Sequence, residues 1–312
     1  MEVRGLVKRY GELTAVDGVD LTVNAGDVYG YLGPNGAGKT TSLRMMLGLI
    51  RPSAGTVRLF GRDPMESVTA LQGVAGFVEA PTFYPYLNAR RNLELLAAYD
   101  GHDAKRRIAE ALDTVELTHR AKDRVGGYSH GMRQRLGIAA ALLRDPKLLL
   151  LDEPATGLDP AGMRDMRLLV RRLADQGMTV LLSSHLLTEV EDVCNRVAIV
   201  RSGRIVYEGE IATLKRGAGT SYRLETTDDE LALKICGAQP GISDARVDEH
   251  GRITFTADEP AATELSQALV EAGALIKALA PQTVTLEDLF FSFTEGDAVQ
   301  PERHPPEPAH AA

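Results

Sequence analysis

The feature that constrains this chain most is GPNGAGKT at residues 33–40, which fits the pattern G-x-x-x-x-G-K-[ST]. It follows the apolar run VYGYL and precedes SLRMMLGLI, whose apolar residues have helical spacing. Between a strand and a helix, glycines let successive backbone N–H groups point inward, and the helix N-terminus adds partial positive charge. The sequence therefore predicts a nucleotide phosphate site, because a simple tight turn would require neither the lysine nor the threonine.

The side chains of this loop have separate expected roles. Lys39 is expected to reach the β- and γ-phosphates, and the Thr40 hydroxyl to bind magnesium. The predicted cofactors are therefore ATP and Mg2+. The residues predicted to bind ATP in this loop are Gly33, Pro34, Asn35, Gly36, Ala37, Gly38, Lys39, Thr40 and Thr41.

A second motif, KLLLLDEP at residues 147–154, supplies carboxylates. Its four leucines are typical of a strand buried on both faces. Asp152 is expected to hold magnesium directly or through water, and Glu153 to polarise the attacking water as general base. Two carboxylates at a strand end can also simply cap the next helix, but the phosphate loop upstream favours the catalytic interpretation.

Composition and charge narrow the function further. The chain has 312 residues, 44% hydrophobic and 25% charged, which is ordinary for a globular protein with room for two domains. No apolar run approaches the about 18 to 20 residues of a membrane helix, and no signal peptide is visible, so a cytoplasmic location is expected. The net charge of −8 argues against nucleic acid or an anionic bilayer as a general partner. Cys194 and Cys236 are expected to be reduced thiols.

The order of predicted elements indicates the domain organisation. Strands alternating with helices predict an α/β fold with a mostly parallel sheet. Residues 1 to about 30 read as β-structure, and residues 88–143 as an inserted helical subdomain. The first domain is predicted to span residues 1–217, followed by a small α+β module at 218–295 and a disordered, proline-rich tail at 296–312.

The motifs together resemble a known family. The phosphate loop, the helical insertion, YSHGMRQRLGIAAALLRDPKLLLLDEPATGLDP and then SSH are similar to the nucleotide-binding subunit of an ATP-binding cassette (ABC) transporter, over residues 1 to about 215. The resemblance implies a P-loop NTPase with a β-subdomain and an inserted helical subdomain. It also implies an ATPase whose cassettes stack head to tail, as a homodimer or a pair, and a separate membrane permease that holds the chain at the inner face of the cell membrane.

A second glycine-rich stretch, GGYSHGMRQRLG at 126–137, is explained by this resemblance. The family signature is usually close to LSGGQ, and YSHGM retains Ser129 and Gly131 while His130 and Met132 replace a glycine and the glutamine. Ser129 and Gly131 would therefore bind the ATP held by the other cassette, with a helix N-terminus aimed at its γ-phosphate. From the residues alone, the stretch is an N-cap followed by a basic first turn.

Further site residues are implied one by one. Tyr10 matches the aromatic residue that stacks on adenine, and Val16 is expected beside it. Asp159 in GLDP resembles the loop that crosses the dimer interface, so it is expected to act on the ATP site in trans. His185 in SSH resembles the histidine that contacts the γ-phosphate and couples it to Glu153, although a lone histidine after a strand is usually a packing residue.

The run GVAGFVEAPTFYPYL departs from the family pattern. Glu79 stands where the family has a glutamine that contacts magnesium and the attacking water, so it is included as a magnesium ligand. The pattern E-x-P-x-F-Y-P-x-L resembles a branch that contains bacitracin and lantibiotic immunity exporters. Phe83, Tyr84 and Tyr86 then form either a docking groove for a permease helix, which is favoured, or ordinary packing.

The function that this resemblance implies is the ATP-hydrolysing subunit of an exporter of a drug, antibiotic peptide or similar compound. Export is favoured over import because the segment VTLEDLFFSF resembles the C-terminal part of exporter cassettes. The alternative is a soluble ABC ATPase that acts on a ribosome or nucleic-acid complex. A single P-loop, the lack of a heptad run and the negative charge count against it, and a P-loop kinase would not explain YSHGM, GLDP and SSH.

Overall fold

The protein is described by a computed structural model that covers residues 1–100, 102–217, 220–248 and 251–282, together with Leu286 and Phe290. The segment VTLEDLFFSF, apart from those last two residues, and the predicted tail at 296–312 lie outside the described residues. The chain forms two compact units, one from Met1 to Glu210 and a second that begins at Ile211. The predicted domain limits at 217 and 218–295 stay predictions.

The strands of the first unit form two sheets. In chain order the described strands are β1 (Glu2–Tyr10), β2 (Leu13–Thr22), β3 (Val28–Leu32), β4 (Ala54–Arg58), β5 (Val74–Phe77), β6 (Leu148–Asp152), β7 (Thr179–Ser184), β8 (Arg196–Arg201) and β9 (Arg204–Glu210). An antiparallel sheet has the order β2-β1-β4, and a larger sheet the order β5-β6-β7-β3-β8-β9. All pairs of the larger sheet are parallel except β8 with β9, which confirms the predicted parallel-rich α/β fold.

The three central strands of the larger sheet explain where a site forms. Every residue of VYGYL in β3, LLLLD in β6 and TVLLSS in β7 is buried, as expected for parallel strands covered on both faces. Because the strands are parallel, their carboxyl ends meet at one edge of the sheet, where ligands of α/β proteins bind. The phosphate loop, the carboxylate pair and the SSH motif all follow these ends.

The helices of the first unit contact the larger sheet or one another. They are α1 (Lys39–Met46), α2 (Ala89–Ala97), α3 (His102–Arg106), α4 (Ile108–Thr114), α5 (His130–Leu142), α6 (Pro160–Asp175) and α7 (Leu187–Val193). Helices α1, α5, α6 and α7 contact the larger sheet, while α2, α3 and α4 pack with one another, and α2 and α4 also with α5. Helices α2 to α5 lie within the helical insertion predicted at 88–143. Side chains of α1, of the antiparallel sheet and of the larger sheet share one hydrophobic core, which fixes α1 behind the phosphate loop.

The second unit contains α8 (Ile211–Gly217), β10 (Thr220–Thr226), α9 (Asp229–Ala238), β11 (Ser243–Val247), β12 (Ile253–Ala257), α10 (Glu259–Glu271) and β13 (Ile276–Gln282). After α8 the order is β-α-β-β-α-β, and the strands pair antiparallel in the order β11-β12-β10-β13, a ferredoxin-like arrangement. Alternate residues of β10 and β12 are buried with α9 and α10 in a separate core, which confirms the predicted α+β character.

Among the described residues, no helix combines the length and the apolar character needed to cross a membrane.

Candidate nucleotide site

The phosphate loop joins β3 to α1 through a glycine that no other residue can replace without strain. Gly38 caps α1 with a φ of 99°, and a Cβ atom there would lie 2.3 Å from the Ala15 carbonyl oxygen. The Gly33 amide donates to the Ser184 carbonyl at 3.4 Å, which joins the loop to the end of β7. Thr40 and Thr41 follow in the first turn of α1, both half-buried.

Lys39 is folded onto the loop that it belongs to. Only 5% of the residue is exposed, and Nζ donates to the carbonyl oxygens of Gly33 at 2.8 Å and Pro34 at 3.2 Å. The same Nζ lies 3.2 Å from Oε1 of Glu153. The buried ammonium is therefore compensated by a carboxylate from the end of β6, as a buried charge requires.

Ser183 links the Asp152 carboxylate at the end of β6 to the backbone amide of Glu153, the next residue. Its hydroxyl donates to Asp152 Oδ1 at 2.6 Å, and its oxygen accepts from the Glu153 amide at 3.0 Å. Asp152 is buried, so this hydrogen bond fixes a carboxylate that water reaches only slightly. The register of β6 beside β7 places Asp152 opposite Ser183.

The Glu153 side chain contacts three other side chains of the site. Its Oε2 accepts from Thr156 Oγ1 at 2.8 Å and lies 3.0 Å from His185 Nδ1, while Oε1 faces Lys39. Its φ of 46° is unusual for a residue other than glycine and turns the chain sharply after the strand. Burial raises the pKa of the carboxyl, but the hydrogen bonds from Thr156 and Lys39 and the charges of Lys39 and His185 outweigh it and lower the pKa.

The contact between His185 and Glu153 determines which ring nitrogen carries a proton. An ionised carboxylate can only accept, so Nδ1 of His185 is the donor in the 3.0 Å contact. Lys39, Glu153 and His185 are thereby brought together, and their roles at ATP stay predictions.

The signature stretch lies at the start of α5. Ser129 is the N-cap, and its Oγ accepts from the Met132 amide at 3.2 Å, which leaves the hydroxyl proton free to donate elsewhere. A cavity of about 410 Å³ opens here, lined among others by Ser129, Gly131 and Asp159. Asp159 caps α6 by accepting from the Gly162 amide at 3.0 Å. The three residues assigned in trans therefore share one cavity.

The remaining predicted residues lie in different surroundings. Tyr10 is 49% exposed, and Lys8 Nζ lies 5.1 Å from the centre of its ring. Val16 is fully buried, at 0% exposed, beneath Gly38, so it offers no surface to an adenine ring in this state. Glu79 follows β5 and pairs with Arg44 of α1 at 2.5 Å between Arg44 Nη2 and Glu79 Oε1. Its added negative charge is therefore neutralised within the chain.

The donor set fits magnesium bound together with a nucleotide. Thr40 and Asp152 supply a hydroxyl and a carboxylate, the hard oxygen ligands that magnesium prefers, and it commonly takes one or two carboxylates plus phosphate oxygens. Within the described residues, no group of three or more histidine, cysteine, aspartate or glutamate side chains is arranged to hold a metal by itself.

Three contributors to this site were not identified from the sequence: Ser183, Thr156 and Arg44. Ser183 lies inside the quoted SSH motif, and Thr156 follows Glu153 by three residues, a spacing that permits a turn contact. A serine at a strand end and a threonine three residues after a carboxylate occur in many proteins, so neither pattern singled out these residues. Arg44 lies 35 residues from Glu79, and no local pattern relates the two.

Comparisons with known proteins identify relatives. The family described as "ABC transporter" matches residues 16–156. The bacitracin transport ATP-binding protein BcrA of Bacillus licheniformis is 38% identical over 94% of this chain and 97% of its own length. The daunorubicin/doxorubicin resistance ATP-binding protein DrrA of Streptomyces peucetius is 36% identical over 94% of this chain and 92% of its own. A solved structure of the ATP-binding subunit of an ABC transporter, 29% identical, covers 69% of this chain and 92% of that chain with a TM-score of 0.62.

Proposed function

The chain belongs to the ABC transporter family as an ATP-binding ATPase subunit, and from that premise we propose that it powers a separate membrane permease that exports a drug or an antibiotic peptide. The observation that carries the proposal is the convergence of Lys39, Glu153 and His185 at the carboxyl ends of β3, β6 and β7. The printed names of the two relatives, one for bacitracin transport and one for daunorubicin/doxorubicin resistance, support the class of compound. They do not favour the alternative of a non-transport ATPase.

Lys39 is the phosphate-binding cation. Its Nζ now donates to two loop carbonyls and to Glu153, and the β- and γ-phosphates of ATP offer it stronger, charge-assisted partners. The inward amides of the loop and the N-terminus of α1 bind the remaining phosphate charge. Binding of ATP therefore draws Lys39 away from Glu153.

Glu153 is the general base. Its lowered pKa keeps the carboxylate ionised near neutral pH, so it can accept a hydrogen bond from the attacking water. Thr156 and His185 hold Oε2, which leaves Oε1 for the water once Lys39 has moved to phosphate. His185 keeps the carboxylate oriented and lies where it can respond to the γ-phosphate.

Thr40 and Asp152 are the proposed magnesium ligands, with Glu79 as a further one. When bound, the ion neutralises phosphate charge that develops during transfer. Ser183 orients Asp152 for this role. The ion pair of Glu79 with Arg44 supports an indirect part for Glu79, through water, because the carboxylate is already occupied by a guanidinium.

Two cassettes act together, head to tail. None of residues 33–41 is among the described residues that line the cavity at Ser129, Gly131 and Asp159, so the ATP held by Lys39 and the ligand of that cavity are separate. The free hydroxyl proton of Ser129 and the N-terminus of α5 suit a γ-phosphate supplied by a second chain. ATP then closes the pair, and hydrolysis opens it.

The permease is proposed to bind at Tyr84 and Tyr86, whose rings lie 5.8 Å apart on the surface. Asn92 holds the backbone of this loop by accepting from the Tyr84 amide at 2.8 Å and donating to its carbonyl at 3.1 Å. Exposed aromatic side chains on a fixed backbone are typical of interfaces. Binding there would hold the chain at the cytoplasmic face of the cell membrane.

Two substitutions test the proposed function. Lys39→Ala should abolish ATP binding measured with a fluorescent nucleotide, because it removes the buried cation that faces phosphate. Glu153→Gln should still bind ATP, lower the hydrolysis rate by at least about 100-fold, and elute as a dimer with ATP on a sizing column. Lys105→Ala, on the exposed surface of α3, is the control for a lost lysine.

A normal ATPase rate in Lys39→Ala would contradict the assignment of residues 33–41 as the phosphate-binding loop. A Glu153→Gln chain that binds ATP but stays monomeric at all concentrations would argue against the paired cassette while leaving the ATP site intact.

A further inference from the structure

His130, which replaces a signature glycine, contacts a second loop of the same chain. Its Nε2 lies 3.1 Å from the Thr156 carbonyl oxygen. A carbonyl oxygen only accepts hydrogen bonds, so Nε2 of His130 carries the proton and donates. A glycine at this position has no side chain and could not make this contact.

Thr156 continues the connection towards the proposed general base. Its hydroxyl donates to Glu153 Oε2 at 2.8 Å, and its amide donates to the Glu153 carbonyl at 3.1 Å. The backbone orientation at Thr156 and the direction of its hydroxyl are therefore coupled. A shift of the Thr156 carbonyl changes the hydrogen bond that orients Glu153.

His130 also lines the cavity that Ser129 and Gly131 line. We propose that His130 is a positioning residue, which transmits occupation of this cavity by the second cassette's ATP through Thr156 to Glu153 of its own chain. This proposal rests on the proposed function, since it needs a phosphate from a second chain in the cavity. It assigns the coupling of the two ATP sites to a side chain that the usual signature lacks.

The arrangement has a direction that can be tested. Each proposed ATP site takes Glu153 from one chain and the signature loop from the other. His130 acts on Glu153 of its own chain, so its loss slows hydrolysis of the ATP bound in cis. A histidine that merely contacted phosphate from the signature loop would slow hydrolysis of the ATP bound to the partner.

The first measurement compares single variants of the full chain. His130→Ala should lower kcat about three- to tenfold, the effect of one lost hydrogen bond, with little change in KM for ATP. His130→Gln should recover most of the rate, because its amide N–H reaches the same carbonyl. Thr156→Val should lower kcat similarly and Thr156→Ser should not, and the double variant His130→Ala with Thr156→Val should be no slower than the slower single one.

The second measurement uses mixed dimers. The Glu153→Gln chain is added in excess, so that almost every chain that retains Glu153 is paired with a Glu153→Gln chain. His130→Ala placed in the chain with working Glu153 should slow turnover as it does alone. His130→Ala placed in the Glu153→Gln chain should leave turnover unchanged. The reverse pattern would overturn the proposal and make His130 a phosphate contact in trans.

Other outcomes also decide the matter. Additive effects of His130→Ala and Thr156→Val, or failure of His130→Gln to recover the rate, would overturn the path through Thr156. If a tagged Glu153→Gln chain does not co-purify untagged wild-type chain in the presence of ATP, no mixed dimer forms. The paired cassette of the proposed function then fails, and the coupling between two ATP sites fails with it. A loss of kcat in His130→Ala would in that case still report the contact with Thr156.

Discussion

At the scale of single residues, the site depends on how a few polar side chains share partners. Lys39 satisfies its buried charge with two carbonyls and Glu153, and Glu153 in turn is held by Thr156 and His185. Each partner is a protein atom that a phosphate or a water can replace. The buried charges of the site are therefore compensated by groups that a nucleotide or a water can displace.

Glu189 of α7 provides a test of electrostatics next to this site. Ser184 Oγ donates to its Oε2 at 3.1 Å, while its buried Oε1 has no hydrogen-bond partner among the described residues. Burial raises the pKa of Glu189 above its usual 4.5, against the smaller opposing effects of Ser184, Arg167 and His185. The folded state thus binds a proton more tightly than the unfolded state.

The predicted consequence is a gain in stability for Glu189→Gln. A raised pKa stabilises the fold below the usual value of 4.5, and that stabilisation is lost as pH rises through the folded-state value. Glu189→Gln removes the cost of the buried charge, so its Tm should exceed that of wild type near neutral pH. The difference should vanish below pH 4.5. Thermal denaturation at several pH values measures this, with the exposed Glu66→Gln as control; a Tm gain that does not depend on pH would contradict it.

At the scale of elements, helix α5 carries the signature stretch and packs closely against the loop after β5. A Cβ atom at Gly137 would lie 2.6 Å from Cγ of Pro81 and 3.3 Å from Cε1 of Phe77. The absence of a side chain at Gly137 is what permits this approach. The same loop carries Glu79, so α5 packs against the segment that holds Glu79.

We predict that Gly137→Ala destabilises the chain even though alanine favours helices. The helical gain is about 1 kcal/mol, while forcing a methyl group into the rigid Pro81 ring costs about 1–3 kcal/mol. Urea denaturation should show a net loss of unfolding free energy. Gly237→Ala in α9 is the matched control. Apart from its own helical turn, no described atom lies within 4 Å of where its Cβ would be, so this variant should gain about 0.5–1 kcal/mol in its own unit. Equal gains for both variants would show that the contact with Pro81 is not limiting.

At the scale of the whole molecule, the proposed ATP site and the proposed permease-binding patch use different residues. Tyr84 and Tyr86 are 53% and 65% exposed and use none of the groups that contact Glu153. ATP chemistry and permease binding should therefore be separable by mutation.

The double substitution Tyr84→Ser with Tyr86→Ser should abolish co-purification of the tagged chain with its membrane permease in mild detergent. The ATPase rate of the isolated chain should stay within about twofold, because surface changes away from the site rarely alter it by more. Val68→Ser, which alters another exposed apolar residue, is the control. Retention of the permease by the double variant would place its binding surface elsewhere, and recovery of ribosomal proteins instead would favour the non-transport alternative.

The sequence by itself determined the fold class and the proposed ligands of the first unit. Glycine spacing before Lys39 and the leucine run before Asp152 are local patterns, and such patterns govern turns and buried strands directly. Because the carboxyl ends of parallel strands share one edge, the meeting of Lys39, Glu153 and His185 followed from the order of motifs.

Only the tertiary structure decided which side chains touch. The contacts of His130 with Thr156 and of Arg44 with Glu79 join residues 26 and 35 positions apart, and the complete burial of Val16 depends on the loop above it. Such contacts follow from the course of loops and the choice of rotamers after the elements have packed. The periodic pattern of a sequence shows which face of a helix or strand is buried. It determines neither the course of a loop nor a side-chain rotamer, so it does not show which partner each polar atom contacts.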